Sequence, residues 1–176
     1  MSKRSFISSI EEIRKRAREH VENGAVTQGY ALDRETVIRA LNESLATEIV
    51  CTLRYKQHYY QCSGLNAEPI AAEFLEHAQQ EQEHADQLAE RITQLGGKPN
   101  MNPAGVIDRA HADFAETDDI QEMLKENLIA ERIAVDTYRE LIQFIGDKDP
   151  TTRRMLEDIL AVEEEHADDL ADLMVA

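Results

Sequence analysis

Glycine and proline are scarce in this chain, seven and four among 176 residues, and they fall at a few junctions. With Ala, Leu, Glu and Gln abundant between those junctions, the composition favours an all-helical chain. Cysteine is rarer still. Cys51 and Cys62 are eleven residues apart in one helical stretch, about 16 Å by rise, too far for a disulfide within a straight helix, and they read as reduced core thiols. The absence of a Cys-x-x-Cys pair argues against an electron-donating iron domain. No apolar run is long enough to span a membrane and no signal peptide precedes the first helix, so a cytoplasmic protein is expected. Basic residues are outnumbered, 19 against 35 acidic ones, for a net charge of −16. That balance argues against general nucleic-acid binding and suits cations. It is also uneven: residues 1–20 hold six basic and three acidic residues, and this local +3 leaves −19 on the remainder.

The few breakers divide the chain into an arm, residues 1–32, and one larger unit, residues 33–176. The arm carries an amphipathic basic helix over residues 6–22, with Phe6, Ile7, Ile10, Ile13, Ala17 and Val21 on one side and a Ser8/Glu11 capping box. It reads as a helix packed on the body, or as a basic arm for DNA or another subunit. Asn23-Gly24 and Gly29 mark a linker, and Asp33 caps a long helix that runs to about Cys62. A second helix has Pro69 in its first turn and stops after Leu95 at Gly96-Gly97. About twenty residues follow, Lys98 to Glu116, long enough for a crossover along a bundle that leaves helices two and three parallel. Thr117 or Asp118 opens a third helix, ending at Gly146. Asp149 and Pro150 start a fourth, which runs almost to Ala176.

Each helix carries an intruder on its apolar face. In the fourth, Leu156, Ile159, Leu170 and Leu173 recur in steps of three and four, and the positions that complete the series are Glu163 and His166. The second repeats the pattern 82 residues earlier: Phe74, His77, Glu81, His84, Leu88, Ile92 and Leu95 share one face. Glu83 and Glu165, next to the histidines, point elsewhere. Glu48 interrupts the face Val37, Leu41, Ser44 or Leu45, Thr52, Tyr55, Tyr59, and Glu131 interrupts Ile120, Leu124, Leu128, Val135, Tyr138, Ile142, Ile145.

All six intruders lie near the middle of their helices, so helices of equal length bring them to one level whichever way each runs. Four carboxylates in a dry core are intolerable without positive charge, and two divalent cations neutralise them. Carboxylate oxygens with one imidazole per ion suit Fe(II) or Mn(II) better than a zinc site built on thiolates. Tyr55 follows Glu48 by seven residues and Tyr138 follows Glu131 by seven. Their hydroxyls are either ordinary core groups or hydrogen-bond donors to ligating carboxylates.

Two helices giving Glu and two giving Glu-x-x-His is the pattern of the ferritin-like di-iron or di-manganese bundles. Leu41-Asn42-Glu43-Ser44-Leu45-Ala46-Thr47-Glu48, Glu81-Gln82-Glu83-His84-Ala85-Asp86, Leu95-Gly96-Gly97-Lys98-Pro99-Asn100 and Glu163-Glu164-Glu165-His166 resemble bacterioferritin over about residues 33–172. The resemblance implies a ferritin-like four-helix bundle with a long crossover between helices two and three, plus a short N-terminal helix. It implies two iron ions per chain: Glu48 and His84 as terminal ligands of one, Glu131 and His166 of the other, with Glu81 and Glu163 bridging. It further implies a ferroxidase that oxidises Fe(II) with O2 or hydrogen peroxide and stores ferric mineral in a hollow homo-oligomeric shell. Gln82 stands where bacterioferritin places its haem-binding methionine, which argues against haem. The ten residues after His166 leave no room for the fifth helix of ferritins, a feature similar to the Dps-like branch with its shells of twelve chains. Two other readings use the same bundle: a di-iron or di-manganese peroxidase or catalase, and a Dps-like shell that protects DNA through the basic arm.

Overall fold

Three carboxylates set where the long helices begin in this computed structural model, which describes residues 9–64 and 67–175. Asp33 accepts the Thr36 N–H at 3.2 Å and opens α2, Arg34–Gln61, which follows the short α1, Ile10–Arg16. Next comes α3, Ala67–Gln94, with Pro69 as its third residue, where a missing N–H leaves no helical bond unmade. A one-turn helix, α4, Val106–Arg109, lies within the crossover. Asp119 accepts the Glu122 N–H at 3.0 Å and starts α5, Ile120–Ile145; it displaces the expected cap because the Thr117 hydroxyl is taken by the Asp119 N–H. Asp149 accepts the Thr152 N–H at 3.0 Å at the start of α6, Pro150–Val175. The fold is all-helical, with no strand among the described residues.

Side-chain contacts fix the directions. Arg54 and Tyr55 of α2 meet Asn127 and Glu131 of α5, while Glu48 meets Tyr138, so these helices are antiparallel. Gln80 meets His166 and Arg91 meets Thr152, which makes α3 and α6 antiparallel. Tyr55 packs on Phe74 and Glu48 lies opposite His84, so α2 and α3 are antiparallel as well, and α3 therefore runs parallel to α5. The crossover that makes this arrangement follows α2 along more than half of its length. Asn42 bonds Lys98 and Asn100, Thr47 takes the His111 N–H, and Arg54 and His58 reach the carbonyls of Asp113 and Ala115. From residue 42 to residue 58 that is about 24 Å of helix. Arg54 is fully buried here; its donors are satisfied by Asn127, the Asp113 carbonyl and the Cys51 sulfur.

The core of the bundle is split in two, with a small third cluster, Ala46, Val50 and Val106, where α4 packs on α2. Leu41, Leu45, Leu88, Ile92, Leu156 and Ile159 pack around one half, and Phe74, Ala78, Met123, Leu124 and Leu170 around the other. Cys51 is buried, Cys62 half-buried, and both are free thiols.

The arm departs from expectation. Its helix covers Ile10–Arg16 rather than residues 6–22, and a 3-10 turn, Val21–Asn23, follows His20, whose φ of 52° breaks the helical path. Phe6, Ile7 and Ser8 lie outside the described residues, and Ser9 caps the helix through the Glu12 N–H at 3.3 Å, one residue later than the expected box. Its apolar stripe is not buried against the bundle: Ile10 is 60% and Val21 72% exposed. The linker is. Val26, Tyr30 and Leu32 pack on the core, and the Tyr30 hydroxyl donates to Asp149 at 3.0 Å.

Asp149 therefore joins three parts of the chain: the linker, the α6 start and the Arg91 guanidinium of α3, 3.0 Å from its carboxylate. Asp149→Ala removes a helix cap and strands a mostly buried arginine, and should cost about 2–4 kcal/mol of stability. Urea unfolding measures it; a loss under about 0.5 kcal/mol would contradict the role assigned to this residue.

Candidate metal centre

Between the two apolar halves lies a polar layer made of Glu48 from α2, Glu81 and His84 from α3, Glu131 from α5, and Glu163 and His166 from α6. All six are at most 3% exposed. Glu83 and Glu165 face outward, so the helical register is the one the two Glu-x-x-His segments imply. The donor atoms of the six buried residues form two groups, Glu48–Glu81–His84–Glu163 and Glu81–Glu131–Glu163–His166, in each of which every donor lies within 4.8 Å of the others.

The two shared carboxylates divide their oxygens between the groups. Glu81 turns Oε2 toward His84 Nδ1 (3.6 Å) and Oε1 toward His166 Nδ1 (3.7 Å). Glu163 does likewise, with Oε1 at 2.9 Å from His84 Nδ1 and Oε2 at 3.8 Å from His166 Nδ1. The unshared carboxylates complete the pattern: Glu48 Oε2 lies 3.7 Å from His84 Nδ1 and Glu131 Oε2 lies 3.9 Å from His166 Nδ1. Six of these atoms make no hydrogen bond: Glu81 Oε1, both Glu163 oxygens, Glu131 Oε2 and the Nδ1 atoms of His84 and His166. Buried polar atoms left so are rare and costly, and each group has the donor spacing that suits a metal ion.

The opposite oxygens are held in place. The Tyr138 hydroxyl donates to Glu48 Oε1, and the Tyr55 hydroxyl donates to Glu131 Oε1. Each tyrosine thus serves the carboxylate of the facing antiparallel helix, not the one seven residues before it. Gln80 Oε1 lies 2.7 Å from His166 Nε2. An amide oxygen only accepts, so the ring proton sits on Nε2 and Nδ1 keeps its lone pair for the centre. Gln80 left no signal in the sequence pattern. His77 did, as one more polar residue on the apolar face of α3. Its ring stacks on His166 with centroids 4.0 Å apart, and its Nδ1 lies 3.3 Å from the Tyr55 hydroxyl. Gln82 is exposed and donates to Asp86 at 3.2 Å.

Electrostatics in this layer favour bound protons. Burial, then the Glu81 charge, raises Glu48 and Glu163 well above the usual carboxylate range and raises Glu131 as well. Burial also opposes ionisation of Glu81, but the neighbouring Glu48 carboxyl and the His166 and His84 rings outweigh it and hold Glu81 well below that range. For His84 and His166 burial acts downward, and the surrounding carboxylates more than reverse it. Protons and cations compete for the same atoms.

The family model of the ferritin-like domain matches residues 38–176. The fold is similar to a bacterioferritin-related protein from Bacteroides fragilis, a dodecameric thioferritin. That match has a TM-score of 0.80 and 33% identity, and it covers 84% of this chain and 89% of that one. A ferritin-like diiron-carboxylate protein from Bacillus anthracis str. Ames matches with a TM-score of 0.72 and 28% identity, covering 82% and 99%. A DNA protection during starvation protein from Pyrococcus furiosus is 30% identical over 148 residues, covering 82% of this chain and 80% of that protein.

Loading the centre must displace protons from the groups whose affinity for them is raised. Divalent-cation affinity should therefore rise as pH rises, by about tenfold per unit for each proton released. The metal-free fold responds to pH in the opposite sense. Its raised groups stabilise it below their unfolded values and lose that contribution as pH climbs through their folded values, while Glu81 acts the other way. Calorimetric Zn(II) titrations in buffers of different protonation enthalpy should detect the released protons; an affinity constant between about pH 6 and 8 would contradict the assignment.

Proposed function

The chain belongs to the ferritin-like domain family, and on that footing we propose that it is a ferroxidase, oxidising Fe(II) with O2 or peroxide at the buried centre and storing the iron in a hollow shell of identical chains. The observation that carries the reading is the division of the Glu81 and Glu163 oxygens between two donor groups, since a single ion would not need it. Fe(II) is substrate here, and two ions bound side by side supply one electron each to the oxidant.

The remaining roles belong to the chain. Glu48 and His84 hold one ion, Glu131 and His166 the other, and Glu81 and Glu163 span both. Tyr138 and Tyr55 each fix one oxygen of a terminal carboxylate and leave the other free to ligate. Gln80 keeps the His166 proton on Nε2. The apolar halves above and below exclude water and strengthen every charge interaction in the layer. Mn(II) fits the same donors, but an acidic chain related to iron-storage and DNA-protection proteins is better read as handling Fe(II).

For the shell, the dodecameric Bacteroides fragilis relative supports twelve chains. The arm, residues 1–32, is the docking element between copies. Exposed Ile10, Ile13 and Val21 need cover, and its positive balance favours the acidic body over a phosphate backbone. DNA protection through the basic arm is the secondary reading.

Glu131→Ala should remove one terminal ligand and slow rapid Fe(II) oxidation by about 100-fold or more, whereas Glu165→Ala, on the exposed face, should leave it within about twofold. Stopped-flow absorbance after mixing two Fe(II) per chain with O2 or peroxide is the assay. Equal losses would refute the ligand assignment, and a parent protein inert to both oxidants would refute the function.

A further inference from the structure

A second cluster of donors lies beside the buried pair. Glu73 and His77 stand one turn apart on α3 and Asp169 meets them from α6, with their donor atoms all within 4.8 Å of one another. His77 is 1% exposed, whereas the carboxylate side chains are 30% and 48% exposed, so a core imidazole is aimed at a two-carboxylate opening. Its Nε2 lies 3.2 Å from Glu73 Oε1 and 3.9 Å from Asp169 Oδ2, yet it makes no hydrogen bond.

The hydrogen-bond chain behind the ring explains why. Tyr55 gives its hydroxyl proton to Glu131, so its oxygen can only accept from His77 Nδ1. That assignment, which follows from the network, puts the ring proton on Nδ1 and a lone pair on Nε2. A lone pair facing two carboxylates is repulsive until something positive sits between them.

We infer that Glu73, His77 and Asp169 form a third divalent-cation site, a half-open staging position for first-row cations such as Fe(II) next to the buried centre. An ion at about 2.1 Å from its ligands sets neighbouring donors about 3.0–3.4 Å apart, the spacing His77 and Glu73 already have. Asp169, half exposed, needs only a small rotation to close its gap. Two carboxylates and a neutral imidazole balance the ion's charge, and three protein ligands leave positions for exchangeable water. The His77 ring stacks on His166, so a staged ion sits two imidazole rings from the buried pair. It also makes Nδ1–H a stronger donor to Tyr55, and Tyr55 in turn a stronger donor to Glu131. The site rests on its own geometry and does not require ferroxidase chemistry.

Equilibrium dialysis with Zn(II) alone tests it on the full-length protein and two double variants. Glu73→Gln/Asp169→Asn removes the two carboxylates; Glu83→Gln/Glu165→Gln removes equal charge from exposed positions on the same two helices. The parent and the charge-matched control should retain three equivalents per chain and the first variant two, its third equivalent weakened about tenfold or more. Retention of that equivalent by the first variant, or equal loss in both variants, overturns the inference. Two equivalents in all three proteins would overturn this site and leave the buried pair standing. One equivalent in the parent, lost only in the first variant, would support this site and count against the buried pair.

Discussion

Like charges held in a dry layer are the constraint on which the rest of this structure depends. Four carboxylates and two imidazoles meet midway along the bundle, with apolar packing on either side. Repulsion of this kind destabilises a protein unless each charge has a partner, and removing one member of such a set does more harm than never having had it. Much else in the chain serves to hold that layer in register. The crossover is pinned along α2 by Asn42, Thr47, Arg54 and His58, so α5 arrives with Glu131 opposite Tyr55 and Tyr138 opposite Glu48. At the far end, Arg91 and Asp149 fix α6 to α3 and thereby set Glu163 and His166 against Glu81 and His84.

How much of this was legible beforehand follows from what periodicity can and cannot report. A helix has a fixed pitch, so a Glu on an otherwise apolar face is visible in one dimension, and the two copies of Glu-x-x-His fixed the register of two helices. Equal helix lengths then sufficed to bring Glu48, Glu81, His84, Glu131, Glu163 and His166 to one level. The partners of the tyrosines were not legible, because they depend on the offset between α2 and α5, which no single helix carries. Nor was Gln80, which lies beside the apolar face and touches His166 only once α3 and α6 are packed. Arg54 would ordinarily be assigned to solvent; it is buried because the crossover presents a carbonyl to it.

Boundaries failed where local and tertiary forces disagree. The arm has helical periodicity over residues 6–22, but among the described residues it keeps only Ile10–Arg16, with its apolar stripe exposed on the single chain. Amphipathic helices draw most of their stability from the surface they cover, so a helix without cover is short. The 3-10 turn and the left-handed His20 mark where the pattern gives way to the docked linker.

Whether two ions share the one buried layer is tested most directly by diffraction at the iron absorption edge from crystals soaked anaerobically with Fe(II). The expected result is two peaks about 3.5–4 Å apart, both spanned by Glu81 and Glu163, one toward Glu48 and His84 and the other toward Glu131 and His166. A single peak in that layer, or iron found only on the surface, would contradict a shared two-ion centre.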